Sequence, residues 1–358
     1  MAQVALVVAV LLFVVYIYSQ FSYSRKRLPP GPPPIPLLGN IHQLPAKYQE
    51  KTFAQWGQTY GDIIYARFFT RSTVVLNSVQ SARDLLDKRS AKYSGRPHSV
   101  LQEELYGWDR FIVYLDYGDL WRKHRRWIHA SFSDRNTLLS WQAIQRREVA
   151  VLLSSLIASP SDLETHIKRY TSALIMETVY GHTVRSADDE YVHIMNEAMT
   201  RSVEGEGASA SLVDFIPILK YIPAWMPGAH FKRNAIEVRA IVRDAWSRPY
   251  NMVKKRLASG TAKPSVVASL IETSSREGTL EQDEYDIMAT GSALYGRKYE
   301  FYSKVLTMSR DKDIYPEPEV FRPERYMNID PAAAEYADPL SYTFGFVTST
   351  SRPCAVIA

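Results

Sequence analysis

The spacing of apolar positions changes three times along this chain, and each spacing predicts a different element. Val4–Tyr18 is an unbroken apolar run, and no charge occurs before Arg25. With Gln20, Phe21 and Tyr23 included, it is long enough to cross a bilayer as a helix. Arg25, Lys26 and Arg27 follow directly, with Tyr16, Tyr18, Phe21 and Tyr23 at the boundary. Basic residues and aromatic rings in that position place the following chain on the cytoplasmic side. A cleaved signal peptide would carry a basic leader, and this stretch has none before its apolar run. Residues 1–24 are therefore expected to be an uncleaved, single-pass transmembrane anchor.

Next comes a stretch with no period. Leu28–Asn40 (LPPGPPPIPLLGN) carries six prolines, which forbid a helix and predict a stiff extended connector. Residues 25–40 thus read as a basic, proline-rich hinge, with the chain entering a folded body at Leu37–Asn40. Phe53–Tyr60 suits a short helix. Gly61–Phe69 and Ser72–Asn77 are β-rich runs on either side of Thr70-Arg71, which predicts a hairpin. Ser78–Lys88 opens on a capping serine and has helical spacing, and Lys92–Pro97 reads as a loop. From Leu120 the period is helical, over Leu120–Phe132, Thr137–Ile157, Leu163–Tyr180, Ala187–Val203, His230–Ala258 and Ser265–Ser274. A further helix begins near Glu281 and runs through Tyr295-Gly296. Pro217–Pro227 is an apolar, proline-broken loop that could dip into a membrane or pack on the body. The expected fold class is mainly α with a small β-sheet, behind an N-terminal transmembrane helix.

Composition changes this picture little. The 358 residues are 46% hydrophobic and 23% charged, enough for a large core. A net charge of +5 without a long basic tract favours an acidic partner or an anionic membrane surface over nucleic acid. One cysteine excludes an internal disulfide and fits a reducing compartment.

Two segments could carry chemistry. Trp121–Trp127 (WRKHRRW) puts five basic residues in succession on an expected helix. Trp121 and Arg125 are four apart and share a face. An indole N–H beside a guanidinium is a donor pair suited to a carboxylate or phosphate. The remaining basic residues are expected to face solvent, where they could receive an acidic partner protein. The second segment is Ser341–Ala358, which holds Cys354, the only cysteine. A lone thiol can be inert, a nucleophile or a metal ligand.

In the order of its motifs the chain resembles the membrane-bound cytochrome P450 haem-thiolate monooxygenases, particularly the fungal type. The carrying residues are the apolar anchor, PPGPPPIPLLGN, GDIIYARFF, KYSGRP, YGDLWRKHRRW, FIPILKYIPAWMPG and YPEPEVFRPERY. The resemblance covers almost all of residues 1–296 and resumes near Met308. It implies that residues 41–358 form a P450 catalytic domain and that the cofactor is haem, iron protoporphyrin IX. Trp121 and Arg125 match the pair that binds a haem propionate. Phe321–Arg325 matches the Phe-x-Pro-Glu-Arg segment, in which Arg325 braces the haem-side fold. Phe344-Gly345-Phe346 matches the start of the cysteine-ligand loop, Arg352 its arginine, and Cys354 the proximal thiolate and metal ligand, whose electron donation favours O–O cleavage. The implied reaction inserts one oxygen atom into a lipophilic small molecule, in secondary metabolism. Electrons come from NADPH through NADPH-cytochrome P450 reductase docked at the basic helix. The implied location is the endoplasmic reticulum membrane, with the catalytic domain cytoplasmic.

The same resemblance exposes departures. Val347 stands where the loop has Gly, Ser351 where it has Cys, and Arg352-Pro353-Cys354 keeps the Arg-x-Cys spacing three residues late. Val356 replaces the following Gly, and glycine there supplies conformations that valine resists. After Gly296 the family continues through a central helix bearing an acid–Thr pair and a later helix bearing Glu-x-x-Arg. Here the chain passes to a segment resembling the approach to the last loop, so the fold is expected to be incomplete. A formal Glu-x-x-Arg at Glu319–Arg322 sits among prolines and is not expected to be helical. The expected activity of this chain is low or absent, and a membrane-anchored pseudoenzyme is the alternative.

Overall fold

The structure is a computed structural model that describes residues 28–45, 49–69, 71–93, 95–133, 135–186, 188–204 and 208–296, with Tyr315, Glu317, Pro318, Val320 and Arg322 beyond them. The anchor expected at 1–24, Arg325, and the tail bearing Phe344, Arg352 and Cys354 lie outside the described residues. Among the described residues no helix is long and apolar enough to cross a membrane. They divide into two compact units, one up to Tyr93 with those from Tyr315, the other from Gly95 to Gly296.

In the first unit, α1 (Gln49–Tyr60) starts earlier than its apolar spacing indicates. It buries Phe53 and Trp56, whose rings meet edge to face at 5.5 Å. The expected hairpin is present: β1 (Ile63–Phe68) and β2 (Arg71–Leu76) pair antiparallel, with Ile63 opposite Leu76 and Phe68 opposite Arg71. The proline-rich stretch does not hang free. The Tyr65 amide donates to the Pro30 carbonyl at 2.9 Å, the Asn40 amide to Arg67 at 2.6 Å, and the Phe69 amide to Leu38 at 3.1 Å. The Asn40 side chain adds a bond to the Pro32 carbonyl and accepts one from the Arg67 amide. The chain therefore joins the body from Pro30 onward, along β1. Gly39 makes this approach possible: its φ is +66°, and a Cβ there would sit 2.0 Å from the Arg67 carbonyl oxygen. Ser78 caps as expected, its hydroxyl accepting from the Ser81 amide at 3.2 Å. The helix it opens is regular only over Val79–Ala82 and then widens over Arg83–Asp87. The loop expected at Lys92–Pro97 starts later, because Lys92 and Tyr93 belong to a helical turn, Ser90–Tyr93.

The second unit is helical, with α2 (Asp119–Ser133), α3 (Arg135–Ala158), α4 (Leu163–Tyr180), α5 (Glu190–Glu204), α6 (Ala208–Phe215), α7 (His230–Ala258), α8 (Val266–Glu277) and α9 (Leu280–Gly296). The expected α4 and α7 match to the residue, and the other expected helices to within a few positions. Two features escape a periodic reading: α6, and a wide helical turn over Val100–Leu105. Both are short, and α6 opens on the small residues Ala208-Ser209-Ala210-Ser211, which carry no clear apolar period. Within the expected apolar loop, Pro217–Tyr221 winds into a 3₁₀ turn.

The core of this unit gathers α4, α5, α7 and α8 around α9. From Asp286 to Gly296 every residue of α9 but Met288 is buried. A helix buried on all sides needs small side chains where neighbours cross it. Ala289-Thr290-Gly291-Ser292-Ala293 supplies them: a Cβ on Gly291 would lie 2.8 Å from the Tyr180 hydroxyl and 3.0 Å from Val267.

Candidate functional site

α2 starts with Asp119, an acidic residue where the helix dipole favours one. Asp119 pairs with Arg122 at 2.5 Å on the surface. Trp121 is buried and packs against Tyr117, ring centroids 5.4 Å apart, while the Arg122 guanidinium covers the Tyr117 ring. Arg125 follows one turn later on the same face, half-buried. The sequence-predicted donor pair is thus present on one stretch of helix.

The neighbouring basic residues depart from expectation. Arg122 and Arg126 face solvent, but Lys123 is only partly exposed and His124 is completely buried. Both turn toward α9. The Lys123 ammonium donates to Asp283 at 2.6 Å and to Asp286 at 2.7 Å. Arg110 donates to Asp286 at 3.1 Å, and the His124 Nε2 stands 3.6 Å from the same carboxylate. His124 Nδ1 faces the Thr290 hydroxyl at 3.3 Å, and that hydroxyl donates to the Asp286 carbonyl. Asp283 also accepts from Ser274 at 3.0 Å and Thr279 at 2.6 Å. Trp127 closes the cluster, stacked on His124 and covered by the Lys123 ammonium.

Electrostatics follow from this packing. Burial pushes the Asp286 carboxyl up, but the contacts from His124 and Lys123 overcome it and bring the pKa down to about 2. Asp283 is also held below the ordinary range: burial raises it, and Lys123, Thr279 and Ser274 lower it further. Burial lowers the Lys123 pKa, and its two carboxylate partners raise it by more. Lys123, Asp283 and Asp286 are therefore charged throughout the neutral range.

A second cluster lies at the Val100–Leu105 turn. Asp214, on α6, accepts from the Ser99 hydroxyl at 3.1 Å and the Leu101 amide at 3.0 Å. Glu104 pairs with Lys220 at 2.6 Å and with His98 at 2.9 Å. These bonds tether the segment after α6, whose apolar side chains are exposed: Ile218 by 72%, Tyr221 by 75% and Trp225 by 79%.

Trp121 and Arg125 lie one turn apart on α2, and Phe344, Arg352 and Cys354 lie outside the described residues. Among the described residues no group of His, Cys, Asp or Glu suits a metal ion. Arg322 pairs with Glu317 at 2.5 Å, outside any helix. Asp283, Asp286 and Thr290 went unread in the sequence. The available signal was the phase of α2: Lys123 and Trp127 share a face about half a turn from Trp121 and Arg125.

The family profile Cytochrome P450 matches residues 29–296. Cytochrome P450 monooxygenase 136 of Postia placenta is 39% identical over 267 residues, which are 74% of this chain and 50% of that protein. Cytochrome P450 monooxygenase 176 of the same fungus is 32% identical over 430 residues, covering 95% of this chain and 83% of the relative. That alignment is longer than the 358-residue chain, so the relative carries internal positions that this chain lacks. Tryptamine 4-monooxygenase of Psilocybe cyanescens is 32% identical, over 81% of this chain and 57% of that protein. Against most of these relatives the chain spans about half of their length. A solved zebra fish cytochrome P450 with progesterone shares the fold, with a TM-score of 0.52 and 21% identity over 73% of this chain and 58% of that one.

Proposed function

The chain belongs to the cytochrome P450 family, and on that premise we propose that its helical unit holds the propionate edge of haem in a haem-thiolate monooxygenase. The supporting observation is the chemistry of the donor set. The Trp121 indole and the Arg125 guanidinium only donate hydrogen bonds, a carboxylate only accepts them, and the two donors share one helix face. The nearby carboxylates Asp283 and Asp286 are taken up by Lys123 and Arg110. The residues present therefore fit the anionic edge of the group. When bound, haem supplies the redox chemistry that places one oxygen atom in a lipophilic small molecule. Cys354 is the proposed iron ligand, with Phe344 and Arg352 in its loop.

The remaining roles belong to the surface. Arg122 and Arg126 point to solvent from α2 and would receive the acidic face of an NADPH-dependent reductase. The exposed Ile218, Tyr221 and Trp225, with Lys220 beside them, suit contact with an endoplasmic reticulum membrane beside the proposed anchor at 1–24. Turnover by this chain is proposed to be low or absent, because Val347, Ser351 and Val356 put the Cys354 loop out of register. That observation also favours the second reading, a membrane-anchored pseudoenzyme.

Hemin titration of the full chain tests the first reading. Binding should give a haem absorption band that Arg125→Ala weakens, and a band indifferent to that substitution would sink the proposal. Reduction under carbon monoxide then separates the two readings. A thiolate-type Soret band assigns Cys354 as ligand, and retained haem without that band leaves the pseudoenzyme.

A further inference from the structure

A buried carboxylate between two helices can set the rotation of one against the other. Asp286 lies on α9, the most buried helix of the unit, and its side chain is only 6% exposed. Three cationic or imidazole groups converge on it: Lys123 and His124 from α2, and Arg110 from the segment before α2. Lys123 is additionally fixed by Asp283, one turn earlier on α9. Lys123 is thus bonded to this carboxylate, while His124, the next residue, stands 3.6 Å from it and faces Thr290 of α9 at 3.3 Å, and both lie between Trp121 and Arg125 in sequence. α2 cannot rotate about its own axis without breaking them.

The lever is large enough to matter. Side chains reach about 5–6 Å from a helix axis, so a rotation of about 20° would move their tips by about 2 Å. A binding constellation needs its groups within about 0.5 Å. Buried charge clusters often add little net stability compared with apolar packing, and fixing one arrangement is their best-attested use. Here the arrangement they fix includes Trp121 and Arg125, one turn apart on the same helix.

We propose that Asp286, acting through Lys123 and His124, is a positioning residue that sets the rotation of α2 and so aims Trp121 and Arg125 at one carboxylate of the bound cofactor. The inference rests on the haem reading above for the identity of that carboxylate. The clamp itself rests on geometry alone.

The test uses the full chain in two arms. In the first, without hemin, hydrogen exchange is measured across residues 119–133 in the parent, Asp286→Asn and Lys123→Gln. Both variants should speed exchange in α2 and leave α7 unchanged, and Lys123→Gln keeps Asp286 paired with Arg110 should Asp286→Asn fold poorly. Unchanged exchange in α2 overturns the clamp. In the second arm, hemin affinity is measured by titration. Each variant should bind about tenfold more weakly or worse. In an Arg125→Ala background each should cause a smaller further loss than in the parent, because only the Trp121 contact then remains to be aimed. Losses that simply add to that of Arg125→Ala, or no loss despite faster exchange, overturn the positioning role. A parent chain that binds no hemin overturns the haem reading, and the exchange arm then decides the clamp by itself.

Discussion

Two charge clusters in the helical unit have nearly the same geometry and opposite surroundings. Lys123 meets Asp286 at 2.7 Å with 6% of the carboxylate side chain exposed, and Lys220 meets Glu104 at 2.6 Å with 35% exposed. Distance alone would rank them as equals. Burial separates them, because an exposed pair exchanges water for a partner at little net gain, while a buried one has no water to fall back on. The first cluster therefore fixes a helix, and the second tethers a surface segment that can let go.

The comparison breaks most sharply at Asp286. Asp286→Ala would remove the carboxylate that Lys123, His124 and Arg110 share, leaving Lys123 with Asp283 alone, and should cost about 3–5 kcal/mol. Urea unfolding followed by far-ultraviolet circular dichroism measures it. A loss under about 1 kcal/mol would put the buried cluster on a par with the exposed one.

Acid should act next. The Asp286 pKa is depressed from 3.8 to about 2, so its stabilisation is fully present above 3.8 and is lost as pH falls through 2. It is worth about 2 kcal/mol over that window. Unfolding measured at successive pH values should show this loss in the parent and not in Asp286→Asn.

Smaller effects are expected at the second cluster. Glu104→Gln should cost less than about 1 kcal/mol in global unfolding. Its consequence should appear instead as faster proteolysis of the segment after α6, which the Glu104–Lys220 pair tethers. A global loss as large as that of Asp286→Ala would overturn the ranking by burial.

The smallest effect belongs to His98. Its hydrogen bond to Glu104 raises its pKa above 6.5, against the lowering effect of partial burial. Its contribution is present below 6.5 and lost as pH rises through the folded value. Proteolysis at the Val100–Leu105 turn should accelerate as pH rises above 6.5, and His98→Gln should remove that dependence. A pH profile unaltered by His98→Gln would separate this histidine from the tether.

The sequence made the long elements readable because their apolar period is unambiguous: α4 and α7 could be placed to the residue. It also made the donor pair readable, since Trp121 and Arg125 are one turn apart. What could not be read was the other face of the same helix. Lys123 and His124 stand in a basic run and look solvated, and nothing local shows that two acids of a helix some 160 residues later reach them. Charge pairing between distant segments leaves no periodic trace, whereas apolar burial does. The proline-rich stretch taught a related lesson. Its prolines forbid helix but do not forbid docking, and their free carbonyls serve as acceptors for β1 and its neighbours.

That docking also decides how the small sheet can grow. A strand edge is a template for aggregation or for further pairing. Along β1 the template is occupied by a segment rich in proline, which has no amide proton to pass the ladder onward. The sheet is closed on that side by composition as well as by contact. Among the described residues, a further strand would therefore find its place beyond β2 rather than beyond β1.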